Sequence, residues 1–223
     1  MPITFVAQDF WNNQTSYDET EFLPLTVGDV LLAFLQNVDP TDAPVAPAGW
    51  TELTNSPAVL PDPPSSFFAT MWGYVHVIEE GDTGIYDFDN GDPETLGWRA
   101  NFIEYSGVDL DSPVEDNSFA GNGNATVILT LPAVVATRTG SRLLVATANQ
   151  ITTQPTVEGF TDLSDGFVYL FDKATPVGSS GDVDVVSANE FGTGWDVGFL
   201  IVLNPPIEAG ARFDCSAVDS QIN

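Results

Sequence analysis

The sequence predicts an all-β fold, an antiparallel two-sheet β-sandwich that is jelly-roll-like and carries an internal two-fold sequence repeat. No amphipathic helical pattern of about ten residues or more occurs in the 223-residue chain. Short apolar or alternating segments instead recur roughly every eight to twelve residues, with turn signals between them, as is typical of sandwiches. The duplication of a long stretch is the third observation, and it predicts how the strands are grouped.

One stretch appears twice, over residues 27–53 and again over residues 139–163. Each copy reads as a glycine turn, an apolar strand, a loop rich in proline or threonine, and a Gly-aromatic-Thr-acid-Leu segment. The separation falls from 110 to 97 positions further downstream, because the first copy carries 13 extra residues at 54–66. The matched positions are Gly28 with Gly140, Gly49-Trp50 with Gly159-Phe160, Gly81 with Gly178, Gly84 with Gly181, Gly97-Trp98 with Gly194-Trp195, and Phe102 with Phe199.

The two halves, about 20–109 and 125–206, are expected to form one domain over residues 1–206. Two separate domains would each leave raw sheet edges, whereas pairing the copies face to face buries both apolar faces at once. Residues 207–223 are expected to form a C-terminal tail.

In the first half, the apolar run at 29–38 indicates a strand buried in the middle of the fold. The 54–66 insertion contains four prolines, so it is expected to stay out of the sheets and to cross the surface. Phe10-Trp11 and the polar run that follows are expected to form a loop. The predicted strands are 3–8, 21–26, 29–38, 50–53, 67–78, 85–88 and 96–105.

A stretch rich in Asp, Ser, Gly and Asn at 110–124 is predicted to be a linker that separates the halves. The second half then repeats the order of the first, and Pro205-Pro206 closes the fold. Its predicted strands are 126–131, 142–148, 160–163, 167–172, 183–186 and 195–203.

The charge of the chain is extreme, with 32 acids against 5 bases and a formal net charge of −27. A field of that sign repels nucleic acid and anionic lipid, so neither is expected as a partner. The acidity fits either adaptation to a salty medium or a basic partner. Cys215 is the only cysteine, so no intrachain disulfide is expected. We find no secretory signal pattern or apolar run of bilayer length, which predicts a soluble protein made in a cytoplasm.

The sequence offers few groups for catalysis. His76 is the only histidine and lies between two valines in a predicted strand, without a nucleophile elbow elsewhere, so a structural role is expected. Glu104 and Asp196 lie in corresponding strands and are the acids that a glycosidase pair would draw on. With 32 acids in the chain, such a pair has little weight, and we predict that the protein is not an enzyme.

Two further patterns have structural alternatives. Asp87, Asp89, Asn90 and Asp92 resemble the start of a calcium loop, but Trp98 stands where an EF-hand needs its bidentate acid, and an acidic hairpin turn explains the same residues. The stripe Phe68, Trp72 and Tyr74 resembles a sugar-stacking platform. Its repeat partners Tyr169 and Phe171 are also aromatic, which favours core packing. No metal or cofactor is expected.

Four motifs occur in order: G-D-V-L-L-A at 28–33, P-A-G-W-T-E-L at 47–53, E-E-G-D-T-G-I-Y at 79–86 and E-Y-S-G-V-D at 104–109. This series resembles a widespread β-sandwich family of tailed-bacteriophage virion proteins, whose members serve as capsid decoration proteins, appendages and tail-associated domains. The resemblance implies a virion structural protein, made in the host cytoplasm, most simply a capsid decoration or cement protein. Alternatives are a tail or fibre component that contacts the host, and a carbohydrate-binding sandwich.

The resemblance implies other virion proteins, the capsid above all, as partners, and a homo-oligomer on the particle. Contact residues are expected where the repeat leaves segments without a folding role. Aromatic side chains, a stiff proline loop and a base near the C-terminus suit interfaces in such segments. The candidates are Phe10, Trp11, Pro61, Pro63, Pro64, Arg212 and Phe213.

Overall fold

The computed structural model describes residues 1–12, 20–21, 25–37, 44–59, 70–86, 88, 99–122, 128–149, 154–164, 168–187 and 196–207. All eighteen elements in these ranges are β-strands, and the paired strands run antiparallel. The predicted all-β antiparallel fold is therefore confirmed at this level.

The strands before residue 110 are β1 (Thr4–Asn12), β2 (Thr20–Glu21), β3 (Val30–Asn37), β4 (Trp50–Glu52), β5 (Ala58–Val59), β6 (Thr70–Val77), β7 (Ile85–Tyr86) and β8 (Arg99–Ser106). The strands after it are β9 (Val114–Asn122), β10 (Ile128–Leu131), β11 (Val135–Ala136), β12 (Arg142–Asn149), β13 (Thr156–Val157), β14 (Thr161–Asp162), β15 (Tyr169–Ala174), β16 (Gly178–Ser179), β17 (Val183–Val186) and β18 (Asp196–Leu203).

Two main sheets dominate the fold. Sheet one has the order β1-β8-β3-β6-β4, with β5 also paired to β6, and sheet two has the order β14-β15-β12-β18-β9. Three small sheets accompany them: β10-β17-β13, β11-β16 and β2-β7.

One buried cluster, the inner core, takes side chains from both main sheets. Val30, Leu32 and Phe34 of β3 belong to it together with residues of β12 and β18, and the rings of Phe34 and Phe199 lie 6.3 Å apart. Since alternate residues of a strand point to opposite faces, the remaining apolar residues of β3 and β12 form an outer cluster on each sheet. Both faces of the central strands are thus buried, which explains why β3 is apolar almost throughout.

The predicted linker at 110–124 is wrong in its main part, because β9 occupies residues 114–122 and pairs with β18 along its length. Most β9 side chains are only half-buried, so the strand does not show the apolar alternation that would have predicted it. The edge strand of sheet two therefore lies within the stretch whose composition had predicted a linker.

Two loop predictions also need correction. Ala58 and Val59 of the 54–66 insertion pair with Met71 and Thr70, and Ala58 is fully buried. Both residues lie in the stretch between Pro57 and Pro61, where no proline interrupts the ladder. The first strand does not end at residue 8, because β1 continues to Asn12 through regular pairing with β8.

The proposed match of Phe102 with Phe199 is not supported by the packing of the two rings. Phe102 packs in the outer cluster of sheet one, whereas Phe199 packs in the inner core. Matching the halves at Gly28 and Gly140 sets Ala33 against Val145, and the register partners of these two residues are Phe102 and Leu200. A shift of one residue reverses every side chain in a strand, and sequence identity alone does not detect it.

Candidate functional site

A groove of about 490 Å³ opens between the two main sheets, on the side where β4 and β6 face the segment that leads into β9. Its apolar lining includes Leu53, Val75, Val77 and Val114. Asn117 of β9 accepts a hydrogen bond from the Asn55 backbone N–H at 3.3 Å, and its backbone oxygen accepts one from Asn55 Nδ2 at 2.6 Å. These two bonds tie one wall of the groove to the other.

Four acids line the same groove: Glu52, Glu79, Asp111 and Glu115. The first three are exposed, while Glu115 accepts hydrogen bonds from the Thr137 backbone N–H at 3.0 Å and from its hydroxyl. Among the described residues that line the groove, none is a lysine or arginine. The groove thus combines an apolar floor with a negatively charged rim.

The opposite side of the two main sheets is closed by a buried polar network. Asp172 of β15 is fully buried and accepts a 2.9 Å hydrogen bond from the Tyr105 hydroxyl of β8. Arg142 of β12 binds the same carboxylate through Nε and Nη2, the latter at 2.8 Å from Oδ1. Phe5 of β1 packs edge-on against Tyr105, with ring centroids 6.2 Å apart. This network joins both main sheets and gives each oxygen of the Asp172 carboxylate at least one donor.

His76 has a structural environment. Its Nε2 lies 2.8 Å from Asp82 Oδ2, its Nδ1 lies 3.0 Å from the Gly49 carbonyl oxygen, and its ring stacks on Trp50 at 5.1 Å. Both partners are acceptors, and these contacts hold the ring in one orientation within the fold. This environment supports the structural role predicted for the histidine.

Partial burial raises the pKa of Asp82, but the Glu79 backbone N–H and the His76 ring outweigh this effect and leave the pKa below its usual range. Asp82→Asn is therefore expected to cost about 1 kcal/mol of unfolding free energy at pH 7, since it weakens a charge-assisted bond. A lowered folded-state pKa gives stability that is lost as pH falls through that pKa. The gap between wild type and variant should shrink in urea titrations at pH 3, and an equal gap at both pH values would contradict this account. The exposed Glu80→Gln is the control.

Glu104 and Asp29 form a buried carboxyl pair on the outer face of sheet one. Glu104 Oε1 accepts a 3.1 Å hydrogen bond from the Thr26 backbone N–H, and its other oxygen has no partner among the described residues. Burial is the main cause that raises the pKa of both carboxyls, and the Asp29 contact raises that of Glu104 further. Two neighbouring carboxyls disfavour each other's ionisation, since like charges repel. The nearby Tyr86 hydroxyl has its pKa raised by burial, by Asp82 and by Glu104.

Asp196, the other acid of the imagined glycosidase pair, is not brought to Glu104. It lies at the start of β18, on the outer face of sheet two, where burial raises its pKa to about 6 and the Ser187 hydroxyl lies 3.4 Å away. The two carboxyls therefore face away from each other across the fold. Neither lines the groove.

The remaining predicted site residues divide into two groups. Trp72 and Tyr74 are 2% and 3% exposed, so core packing is confirmed for them and these two rings do not form a sugar-stacking platform. Phe68, the calcium candidates Asp87, Asp89, Asn90 and Asp92, and the contact candidates Pro61, Pro63, Pro64, Arg212 and Phe213 lie outside the described residues. The backbone of Phe10 and Trp11 belongs to β1, so the predicted loop there is wrong. Whether any of these residues makes assembly contacts stays a prediction.

The groove was not found by sequence reasoning, because its acids come from separate segments that only the fold brings together. Within the described residues, no cluster of three or more His, Cys, Asp or Glu side chains could hold a metal ion. The described part of the chain also has no helix long and apolar enough to cross a membrane. Comparisons of the chain with protein-family models, with curated proteins and with solved structures found no match.

Proposed function

We propose that the chain is a non-enzymatic virion structural protein, a capsid decoration or cement protein, built as a duplicated jelly-roll-like β-sandwich. The observation that carries the proposal is that the motifs resembling phage virion proteins all serve the fold in the residues described here. The Gly28 backbone N–H donates to the Ile78 carbonyl, and the Ile78 N–H donates back to Asp29, both at 2.9 Å. Trp50 of the second motif is buried against His76.

Gly107 of the last motif is needed where two segments meet. Its φ is 70°, and a Cβ atom there would lie 2.5 Å from the Pro2 carbonyl oxygen. A larger residue would therefore force the N-terminal segment away from β8. Like the other motifs, this one has a structural role in the fold, which supports a structural protein over an enzyme.

The duplication is supported by strand order and register. In sheet one, β1 and β8, the first and last strands of the first half, lie side by side at one edge, and β3, β6 and β4 follow. In sheet two, β9 and β18, the first and last strands of the second half, lie at one edge in the same way, and β12, β15 and β14 follow. Both edge strands also carry a register shift at the same place, between Phe5 and Ala7 in β1 and beside Val114 in β9. Bulges are positional features that duplicated copies retain. The matched Gly28 and Gly140 have φ of 88° and 94°.

Locating the protein on intact particles tests the proposed function. Antibodies against the purified chain should label the capsid surface of virions made by cells that carry its gene, as seen by immunogold electron microscopy. Label confined to the tail would replace the capsid assignment by a tail or fibre component. Purified virions without label, beside labelled whole-cell lysate, would contradict a virion role.

A further inference from the structure

We propose that the groove between β4, β6 and β9 binds an extended basic segment of a partner protein. Lysine and arginine combine an apolar stem with a charged head. The stems suit the floor of Leu53, Val75, Val77 and Val114, and the heads suit the acids at the rim. Leu110, which also lines the groove, is 45% exposed and offers a further apolar contact.

The groove exists because smaller residues stand where the opposite side is filled. The strand registers match each position of the closing network with a position on the groove side, and the matched residues on the groove side are aliphatic. The corresponding positions are Phe5 with Val114, Tyr105 with Leu203, Asp172 with Val75, and Arg142 with Val30. Replacing a phenyl ring by an isopropyl group at the edge strand removes the side chain that would close the opening. The open side is therefore a specific difference between the two sides of the fold.

The occupant is expected to be positively charged, because the described lysine and arginine side chains of the chain itself do not reach the groove. Arg138 binds Asp109, Arg142 binds Asp172, and the Lys173 ammonium lies 4.2 Å from the Phe160 ring centroid. These are the lysines and arginines whose side chains the structure describes, and none of them belongs to the lining of the groove. Glu52, Glu79 and Asp111 thus face solvent at the groove, and the basic side chain in its described lining, His76, is already held by Asp82. Charge complementarity favours a cationic partner there.

The inference rests on groove geometry and charge, and the proposed function supplies only the source of the segment, a neighbouring virion protein. Failure of one proposal can therefore be told from failure of the other. Particle labelling tests the virion role, whereas peptide binding to the purified chain tests the groove.

The probe is a fluorescein-labelled peptide, Lys-Val-Lys-Val-Lys-Val, titrated with the full chain in 50 mM NaCl and followed by fluorescence anisotropy. The groove variant combines Glu52→Gln, Glu79→Gln and Asp111→Asn, and the control variant combines Glu80→Gln, Glu158→Gln and Asp184→Asn. Each removes three negative charges, so long-range attraction changes equally. We expect at least a tenfold rise in Kd for the groove variant and less than a twofold rise for the control.

A second variant, Val114→Phe, places in the groove the side chain that closes the opposite opening and leaves the net charge unchanged. It should also raise the Kd at least tenfold, with a melting curve that verifies folding. Equal weakening by the two triple variants would overturn the proposal, because the peptide would then be held by general charge. A wild-type chain that does not bind the peptide would overturn it as well.

Discussion

Arg142→Ala is expected to lower the free energy of unfolding by about 3–5 kcal/mol, the usual cost of removing one partner from a buried ion pair. The variant leaves the Asp172 carboxylate buried with only the Tyr105 hydroxyl as a partner. It also removes the bond from Arg142 to the Ile3 carbonyl oxygen, which ties the N-terminal segment to sheet two. Both main sheets lose a shared contact, so urea unfolding should shift as one cooperative transition.

Arg138→Ala is the matched control, because Arg138 also binds one aspartate near the end of a strand. Asp109 is 11% exposed and keeps a second hydrogen bond, from the Asp111 backbone N–H. Arg138→Ala should therefore lower the free energy of unfolding by only about 1 kcal/mol. The double variant Arg142→Met, Asp172→Leu should be more stable than Arg142→Ala, since no charge is left buried. If Arg142→Ala costs no more than Arg138→Ala, the network does not join the sheets energetically.

Sequence reasoning predicted the parts of the fold that burial dictates. The apolar runs of β3, β12 and β18 are buried on both faces, so their residues carry the signal directly. The turn at Gly28 was also predictable, since its positive φ favours glycine. The structural reading of His76 followed from its place between two valines in a strand.

Edge strands carry much less of this signal. β9 exposes or half-exposes most of its side chains, and its place in sheet two is set by backbone pairing to β18. Backbone pairing needs no particular side chains, so Asp116, Asn117 and Ser118 read as loop residues. β5 was missed for a related reason, because a strand of two residues next to prolines is too short to show an alternation of apolar and polar side chains.

The groove and the buried networks depend on distant residues that only the tertiary fold brings together. Tyr105 and Asp172 are 67 positions apart, and each looks ordinary in its own strand. The rim of the groove is likewise assembled from β4, the turn after β6 and the segment before β9. Strand alternation could have placed Glu104 on an outer face, but only the fold shows that Asp29 meets it there.

Glu104→Gln is expected to raise the free energy of unfolding at pH 8 by about 1–3 kcal/mol. This is the typical cost of a buried polar group without its partner, and the neutral amide removes that cost. Burial and the neighbouring Asp29 raise the pKa of the Glu104 carboxyl in the folded chain. A raised folded-state pKa contributes stability that is full below the unfolded pKa of about 4.3 and is lost as pH rises through the folded value. The amide keeps an oxygen for the Thr26 N–H and gains a donor for Asp29, so it needs no proton from solution.

The advantage of Glu104→Gln should therefore be near zero at pH 4 and should grow as the pH is raised, in urea titrations of both proteins at matched salt. Salt must be held constant because the chain carries a net charge of −27, and screening alone changes its stability. Glu158→Gln removes one charge from an exposed site and separates this general repulsion from the effect of burial. If Glu104→Gln and Glu158→Gln stabilise equally at pH 8, the carboxyl pair carries no special cost. If Glu104→Gln destabilises at every pH, the carboxylate is needed as a charged acceptor for Thr26, and a costly buried charge at Glu104 is the wrong account.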